Sequence, residues 1–546
     1  MMRVSGWLRV FQVVLLPLLL LLSAALGLGC YFETNDDLTI VSLLRGVSAA
    51  VPVTDLHLYF HGYAAAWAAL YGWAPAVPWY AISLYALLYA ATVLVFAVLE
   101  KALRGRWSGG ALTLLLVLFF GVAWLEHGFW FNYVRVPLLL AGAGVLFAAQ
   151  GAPDRRALAV GLVAFGLAWL IRPSAAVLGA AVAAPGAWWL AGRRAGWVLG
   201  GAVAWSVVGA VWLHLSWSPE AATFRRLDLL KSNLLDFQLT SPAPNLSAAD
   251  GLSVAAAQHW MLADSARINE AFFARAAPWQ LAYFGQHTAP TKLRTALVQL
   301  ARDYFPLLLL LLASWAWAVR RGRRAFWLVQ AGYVLLVLGL ATVLKLPPRL
   351  ALPVLDFWVL SNLLYLLVAA RSSRLPVRLL LLVLAAATVA YAYKTVHRRG
   401  VLRQEQERNR TQRRQLLALA GPAAVLVSDA LEPTYKAESP WEEGGAWPRR
   451  PVVLAVAGWH TLHPSQPAWR HHLTGTRDFT EALRRLGQRL DVAWVLTPEG
   501  AALLNRQLNA EARPGQPLCQ LEIRPGPRQL RNSAMHAYRM RVKFPH

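Results

Sequence analysis

The sequence predicts an all-α polytopic membrane protein of about eleven transmembrane helices, followed by a small soluble α/β domain. Three observations lead there. The chain is 57% hydrophobic and only 15% charged, against roughly 25% charged residues in ordinary soluble domains. Long charge-free runs recur along most of it, and clusters of arginine fill every second gap between them. With 53 Lys and Arg against 28 Asp and Glu the net charge is +25, so the few charges present are mostly cationic loops rather than a solvated coat. A water-soluble enzyme is excluded, and two cysteines, Cys30 and Cys519, exclude a disulfide scaffold or a cysteine-rich metal site.

A crossing helix needs about 20 apolar residues, because the hydrocarbon core is roughly 30 Å thick and each residue rises about 1.5 Å. The first run lies between Arg9 and Glu33 and is longer than the apolar core of a secretory signal, so it is expected to stay attached. Leu26-Gly27-Leu28-Gly29-Cys30 is not taken as a lipoprotein cleavage site, since Gly27 stands where a branched apolar residue is needed. Further runs fall within 79–99, 107–125, 136–152, 157–171, 173–192 and 195–215, and after a polar interval within 304–319, 325–344, 350–370 and 379–393. Three of these, 157–171, 304–319 and 379–393, are short, and flanking arginines would have to snorkel.

Basic residues in short loops are retained on the cytoplasmic side. An inside N-terminus then places Lys101, Arg104 and Arg106, Arg155 and Arg156, Arg193 and Arg194, Arg320 to Arg324, and Arg371, Arg374 and Arg378 on one face. The opposite face receives loop 33–78, the turn at 126–130, the long loop 216–303, the turn at 345–349 and everything after Lys394. One run breaks the pattern: Lys394, Arg398, Arg399, Arg403, Arg408, Arg410, Arg413 and Arg414 crowd behind the last span on the outer face. The division is a membrane domain, 1–393, and an extracytoplasmic domain, 394–546. In the latter, 423–427, 452–457, 492–496 and 518–523 read as strands, 478–490 as a helix, and Thr497-Pro498-Glu499 as the start of another. No internal repeat or phosphate loop is present.

Ionisable residues at the outer ends of spans carry the functional argument, because burying them is costly and the loop-charge rule does not account for them. They are Glu33, Asp36 and Asp37 after the first span, Glu126 and His127 after the third, Arg135 at the start of the fourth, then Arg172, Lys345 and Arg349, with Asp356 inside the tenth. Acids and bases gathered at one membrane face suit a lipid phosphate: arginine holds phosphate through paired hydrogen bonds, and a carboxylate takes the proton of an attacking hydroxyl. Each residue also has a plainer role open to it. Asp37 could cap the helix starting near Leu38, Arg172 and Arg349 could snorkel to headgroups, and Asp356 could pair with a buried base. Asp55, His57 and His61 include two histidines four apart, a metal-binding spacing without a third ligand; no metal site is assigned and a divalent cofactor has no support.

Asn35-Asp36-Asp37 beyond the first span resembles the acidic motif in the first outer loop of GT-C membrane glycosyltransferases. Phe131-Asn132-Tyr133-Val134-Arg135, Leu170-Ile171-Arg172-Pro173-Ser174 and Lys345-Leu346-Pro347-Pro348-Arg349-Leu350-Ala351-Leu352-Pro353 are similar to segments of the protein mannosyltransferase and aminoarabinose transferase branch. The resemblance covers roughly residues 1 to 400, with Asp37 where that family often has Glu and Leu350 where its signature has an aromatic. It implies inverting transfer of a sugar from a polyprenyl-phosphate donor to an extracytoplasmic glycan, lipid or protein, at the plasma (bacterial inner) membrane. Asp36 would be the base with Asp37 its helper or the alternative base, Arg172, Lys345 and Arg349 would hold the donor phosphate, and Glu126 or His127 would face the acceptor or order the loop. A lipid-linked polysaccharide polymerase or ligase, a transporter or flippase, and a noncatalytic scaffold are the alternatives; a transporter is expected to carry its charges near the bilayer midplane, and here they gather at one face.

Overall fold

A computed structural model describes residues 6–152, 154–319, 323–369, 377–445, 447, 450–510, 518–524 and 535–543. The chain is mostly helical. Seven helical stretches are long and apolar enough to cross a membrane: Gly6–Leu28, Trp79–Leu103, Gly109–Phe129, Pro173–Ser216, Arg324–Val343, Pro348–Val368 and Arg378–Ala420. An eighth is reached if Leu281–Asp303 and Phe305–Val319, which meet at 87°, count as one. The stretch Pro173–Ser216 holds two helices, Pro173–Ala191 and Ala195–Ser216, packed on each other across a turn at Gly192, whose φ of 58° no ordinary side chain adopts easily. Arg135–Gly151 and Arg155–Ile171 are shorter, at 17 residues each. Of the expected cytoplasmic arginines, Arg320, Arg321, Arg371 and Arg374 lie outside the described residues.

Lipid tails are as apolar as leucine, so these helices gain little from hydrophobicity against one another and associate through close packing and interhelical hydrogen bonds. Both are present. Arg135–Gly151 lies at the centre, packed on Trp79–Leu103, Arg155–Ile171 and Pro173–Ala191. Gly179 lies so close to the Leu138 carbonyl, and Gly161 to that of Gly144, that a methyl group at either glycine would collide with backbone. Polar glue sits among the later helices: Gln330 accepts from the indoles of Trp315 and Trp358, both at 2.7 Å, and donates to Asn362 at 2.9 Å, which donates to Ser314 at 2.8 Å.

The last helix, Val377–Ala420, runs 44 residues without a break through the boundary expected at 393. Beyond it lies a five-stranded sheet, taking β1 as Tyr31–Phe32, β2 as Trp130–Phe131, β3 as Val425–Ser428, β4 as Val452–Ala455, β5 as Val492–Leu496, β6 as Leu518–Ile523 and β7 as His536–Lys543. Its order is β4-β3-β5-β7-β6; β3, β4 and β5 run parallel and β7 antiparallel to β5 and β6. Asp478 caps the helix Phe479–Gly487 through the Glu481 N–H at 2.7 Å, while β7 and the helix Ser465–Thr474 are additions to the sequence reading.

The sheet domain and loop 33–78 share one end of the helix bundle. Residues β1 and β2 form a short parallel ladder, and the C-terminal domain extends it: the Phe32 N–H donates to the Glu438 carbonyl at 2.8 Å, and that of Ala437 returns to Phe32 at 3.0 Å. Tyr71 donates to Glu443 at 2.6 Å and Gln466 to the Ser48 carbonyl at 2.9 Å. The basic run behind the last span is largely neutralised by this packing. Lys394 and Arg398 reach Glu126, Arg403 pairs with Glu407, Arg410 binds Glu438 and Glu442, and Arg413 joins Glu438.

Candidate functional site

The helix Asp36–Leu44 begins where β1 leaves the first span. Adjacent helical residues point about 100° apart, so the neighbouring aspartates meet different surroundings. Asp37 is fully buried, and its carboxylate accepts from the Tyr80 hydroxyl at 2.9 Å, the Tyr133 N–H at 3.2 Å and Asn132 Nδ2 at 3.2 Å. Those bonds tie the helix to the segment that follows β2 and leave the carboxylate committed to protein donors. Asp36 is partly exposed, with Thr34 Oγ1 at 3.3 Å. Burial pushes its carboxyl above the usual range; the nearby charge of Arg349 opposes that, Glu432 reinforces it, and Arg172 and Lys231 act with Arg349. An acid with a raised pKa among cations is suited to hold a proton taken from a substrate.

Three basic groups therefore lie within electrostatic range of Asp36, each brought by a different segment. Arg172 lies at the joint between Arg155–Ile171 and Pro173–Ala191, where the following proline forces extended backbone, φ −153° and ψ 102°. The carbonyls just before it accept from the Phe60 and His61 N–H groups, both at 2.8 Å, and its guanidinium donates to the Tyr133 hydroxyl at 2.6 Å while lying over the Tyr59 and Tyr133 rings. Arg349 stands in the first turn of Pro348–Leu364; its N–H donates to Glu33 Oε1 at 3.2 Å, and its guanidinium lies 3.5 Å from the same oxygen. Lys231, on the helix Pro219–Lys231, is buried, pairs with Asp228 at 2.7 Å and lies over the Trp260 ring. Lys345, expected to join this group, instead pairs with Asp236 at 3.0 Å and is half exposed.

Glu126 and His127 are both 1% exposed. Glu126 is bound by Tyr391, Lys394 and Arg398 of the last helix; it fastens that helix to the bundle. His127 Nε2 lies 2.8 Å from Asp356 and Nδ1 3.4 Å from Arg135. Asp356 thus has the buried basic partner anticipated for it.

The groups the sequence did not single out are Lys231, Asp228, Tyr59 and Glu432. Glu432 comes from the C-terminal domain, accepts from Asn35 at 3.0 Å and lies 3.2 Å from His460. No short motif marks it; only the fold brings it beside Asp36. His57, Phe60 and Trp260 hold left-handed φ angles of 61°, 61° and 59°, a strain that costs roughly 1–3 kcal/mol each and gathers at functional sites. Asp55 pairs with His57 at 3.1 Å, a contact that lowers its carboxyl to about 2, and burial lowers His61 to about 4. Among the described residues no three His, Cys, Asp or Glu side chains are disposed to hold a metal ion.

The arrangement is a partly exposed carboxylate with three cations within electrostatic range, two of them stacked on tyrosine or tryptophan rings, at the end of a helix bundle. No family model, curated protein or solved structure matches the chain.

Proposed function

We propose that this chain is a GT-C-type membrane glycosyltransferase that moves a sugar from a polyprenyl-phosphate donor to an extracytoplasmic hydroxyl. The supporting observation is that Asp36 is partly exposed and lies within electrostatic range of Arg172, Lys231 and Arg349 while its neighbour Asp37 is bound up in the fold. In the reaction the acceptor oxygen attacks the anomeric carbon, and its proton passes to Asp36. The bond to phosphate breaks with its electron pair on phosphate oxygen, and inversion follows from attack opposite the leaving group. Arg349 and Arg172, with Lys231, hold the departing phosphate; charge-assisted bonds of this kind are the strong ones.

Eleven crossings accord with a C-terminal domain that touches loop 33–78, since an even number of crossings must separate the two. With the arginine-rich short loops on the cytoplasmic side, this reading has the site on the extracytoplasmic face of the plasma membrane. Asp36→Asn tests the reading: the amide keeps shape but takes no proton, so transfer should drop roughly a hundred- to ten-thousandfold with donor affinity retained. Normal turnover in Asp36→Asn would end it.

A further inference from the structure

Five buried or half-buried ionisable groups close a ring through four segments of the chain. Asp356 Oδ2 meets His127 Nε2 at 2.8 Å. His127 Nδ1 meets Arg135 Nη1 at 3.4 Å. Arg135 grips Glu33 Oε2 through Nε at 3.1 Å and Nη2 at 2.7 Å. Glu33 Oε1 accepts the Arg349 N–H at 3.2 Å and lies 3.5 Å from its guanidinium. Asp356 and Arg349 belong to the same helix, Pro348–Leu364, seven residues or about two turns apart, so the ring leaves that helix in mid-span and returns to it at its first turn.

The hydrogen-bond chemistry gives the ring a direction. A guanidinium only donates, so His127 Nδ1 is the acceptor from Arg135 and the ring proton sits on Nε2, directed at Asp356. The second Asp356 oxygen is buried with no hydrogen-bond partner among the described residues, which leaves His127 as the group there that satisfies this carboxylate. Arg135 is itself clamped, its guanidinium lying over the Trp130 ring, and Arg398 lies over the same ring. Glu33 therefore has a clamped cation on one side and the first turn of a helix on the other.

We infer that this ring is a positioning device: Asp356, His127, Arg135 and Glu33 set the depth and rotation of the first turn of Pro348–Leu364, and so the point from which Arg349 reaches a bound phosphate. The inference rests on the glycosyltransferase reading for the identity of the anion. His127 and Asp356 touch no substrate; they act through Arg349.

A double-mutant cycle in the full-length protein, in lipid nanodiscs, tests it with farnesyl phosphate as probe and farnesol as the uncharged control. Arg349→Ala should weaken farnesyl phosphate roughly ten- to a hundredfold and leave farnesol unaffected. His127→Leu should weaken it about tenfold when Arg349 is present and less than about twofold in the Arg349→Ala background, because a residue acting only through another is silent once that other is gone. His127→Gln, whose carbonyl can accept from Arg135 and whose amide can donate to Asp356, should stay within about threefold of wild type. If His127→Leu does not fold, Glu33→Gln takes its place in the cycle with the same expectation. Equal losses with and without Arg349, or no loss in either, overturn the positioning role. Unchanged affinity in Arg349→Ala itself overturns the donor-site reading, and the two failures are read from different corners of the cycle.

Discussion

Asp37 offers the sharpest separation between holding the fold and performing chemistry. Its Oδ1 takes the Tyr80 hydroxyl and the Tyr133 N–H, and its Oδ2 takes Asn132 Nδ2. Asp37→Ala strands three buried donors, each costing about 1–3 kcal/mol when unmet, so the loss should be about 3–6 kcal/mol once partial rearrangement is allowed. Asp37→Asn keeps the oxygen facing Tyr80 and Tyr133 but turns an amide N–H toward Asn132 Nδ2. Asn132 cannot simply flip, because its own oxygen holds the Val134 N–H at 2.9 Å. One bond is lost and two donors are opposed, for about 1–3 kcal/mol. Equilibrium unfolding in mild detergent with added dodecyl sulfate, followed by near-ultraviolet circular dichroism, should rank wild type, Asp37→Asn and Asp37→Ala in that order. Transfer by folded Asp37→Asn should fall far less than by Asp36→Asn. Wild-type stability in Asp37→Ala, or a stable but inactive Asp37→Asn, would refute the division of labour between the two aspartates.

Two further outcomes follow from buried acids elsewhere. Glu126→Gln removes the carboxylate shared by Lys394 and Arg398, whose side chains are 12% and 15% exposed; leaving such cations unpaired should cost about 3–5 kcal/mol, read as a lower dodecyl sulfate midpoint, and an unchanged midpoint would mean that the last helix is held by other contacts. Glu443, buried against Tyr71, has its carboxyl raised by burial from 4.5 to about 7. Its folded form holds the proton more tightly than the unfolded chain, so its contribution is fully present below about pH 4.5, falls as pH rises toward 7, and is gone above that, a change on the order of 3 kcal/mol. Glu443→Gln should flatten the stability profile between those values, and a slope that survives the substitution would assign it to another group.

The helical membrane class and the sheet domain were legible because hydropathy and strand composition are local signals. Glu33, His127, Arg135, Arg349 and Asp356 were each conspicuous as ionisable residues at or within spans, yet their closure into a ring was not, since pairing between positions 33 and 349 depends on how four segments pack. The same limit explains Lys345, chosen with Arg349 because they share a motif: the turn between them sends one to Asp236 and the other to Glu33. It also explains the two aspartates, identical in type and adjacent in sequence, which helical rotation alone sends to different tasks. The long outer loop offered no recognisable pattern, and Lys231 comes within electrostatic range of Asp36 only because Pro219–Lys231 packs on the loop helix Glu270–Ala276 and on Trp459–Leu462 of the C-terminal domain.

The three-stranded seam at Phe32 has a consequence in time. The segment carrying Asp36 is synthesised early, while Glu432 and the backbone of Ala437 and Glu438, which complete its surroundings, follow some 397 residues later. A ribosome that stalls after the last span releases a chain with every spanning helix and both aspartates but without the backbone partners of Phe32 and without Glu432. The surroundings of Asn35 and Phe32 are thus finished only when the last fifth of the chain has emerged and docked.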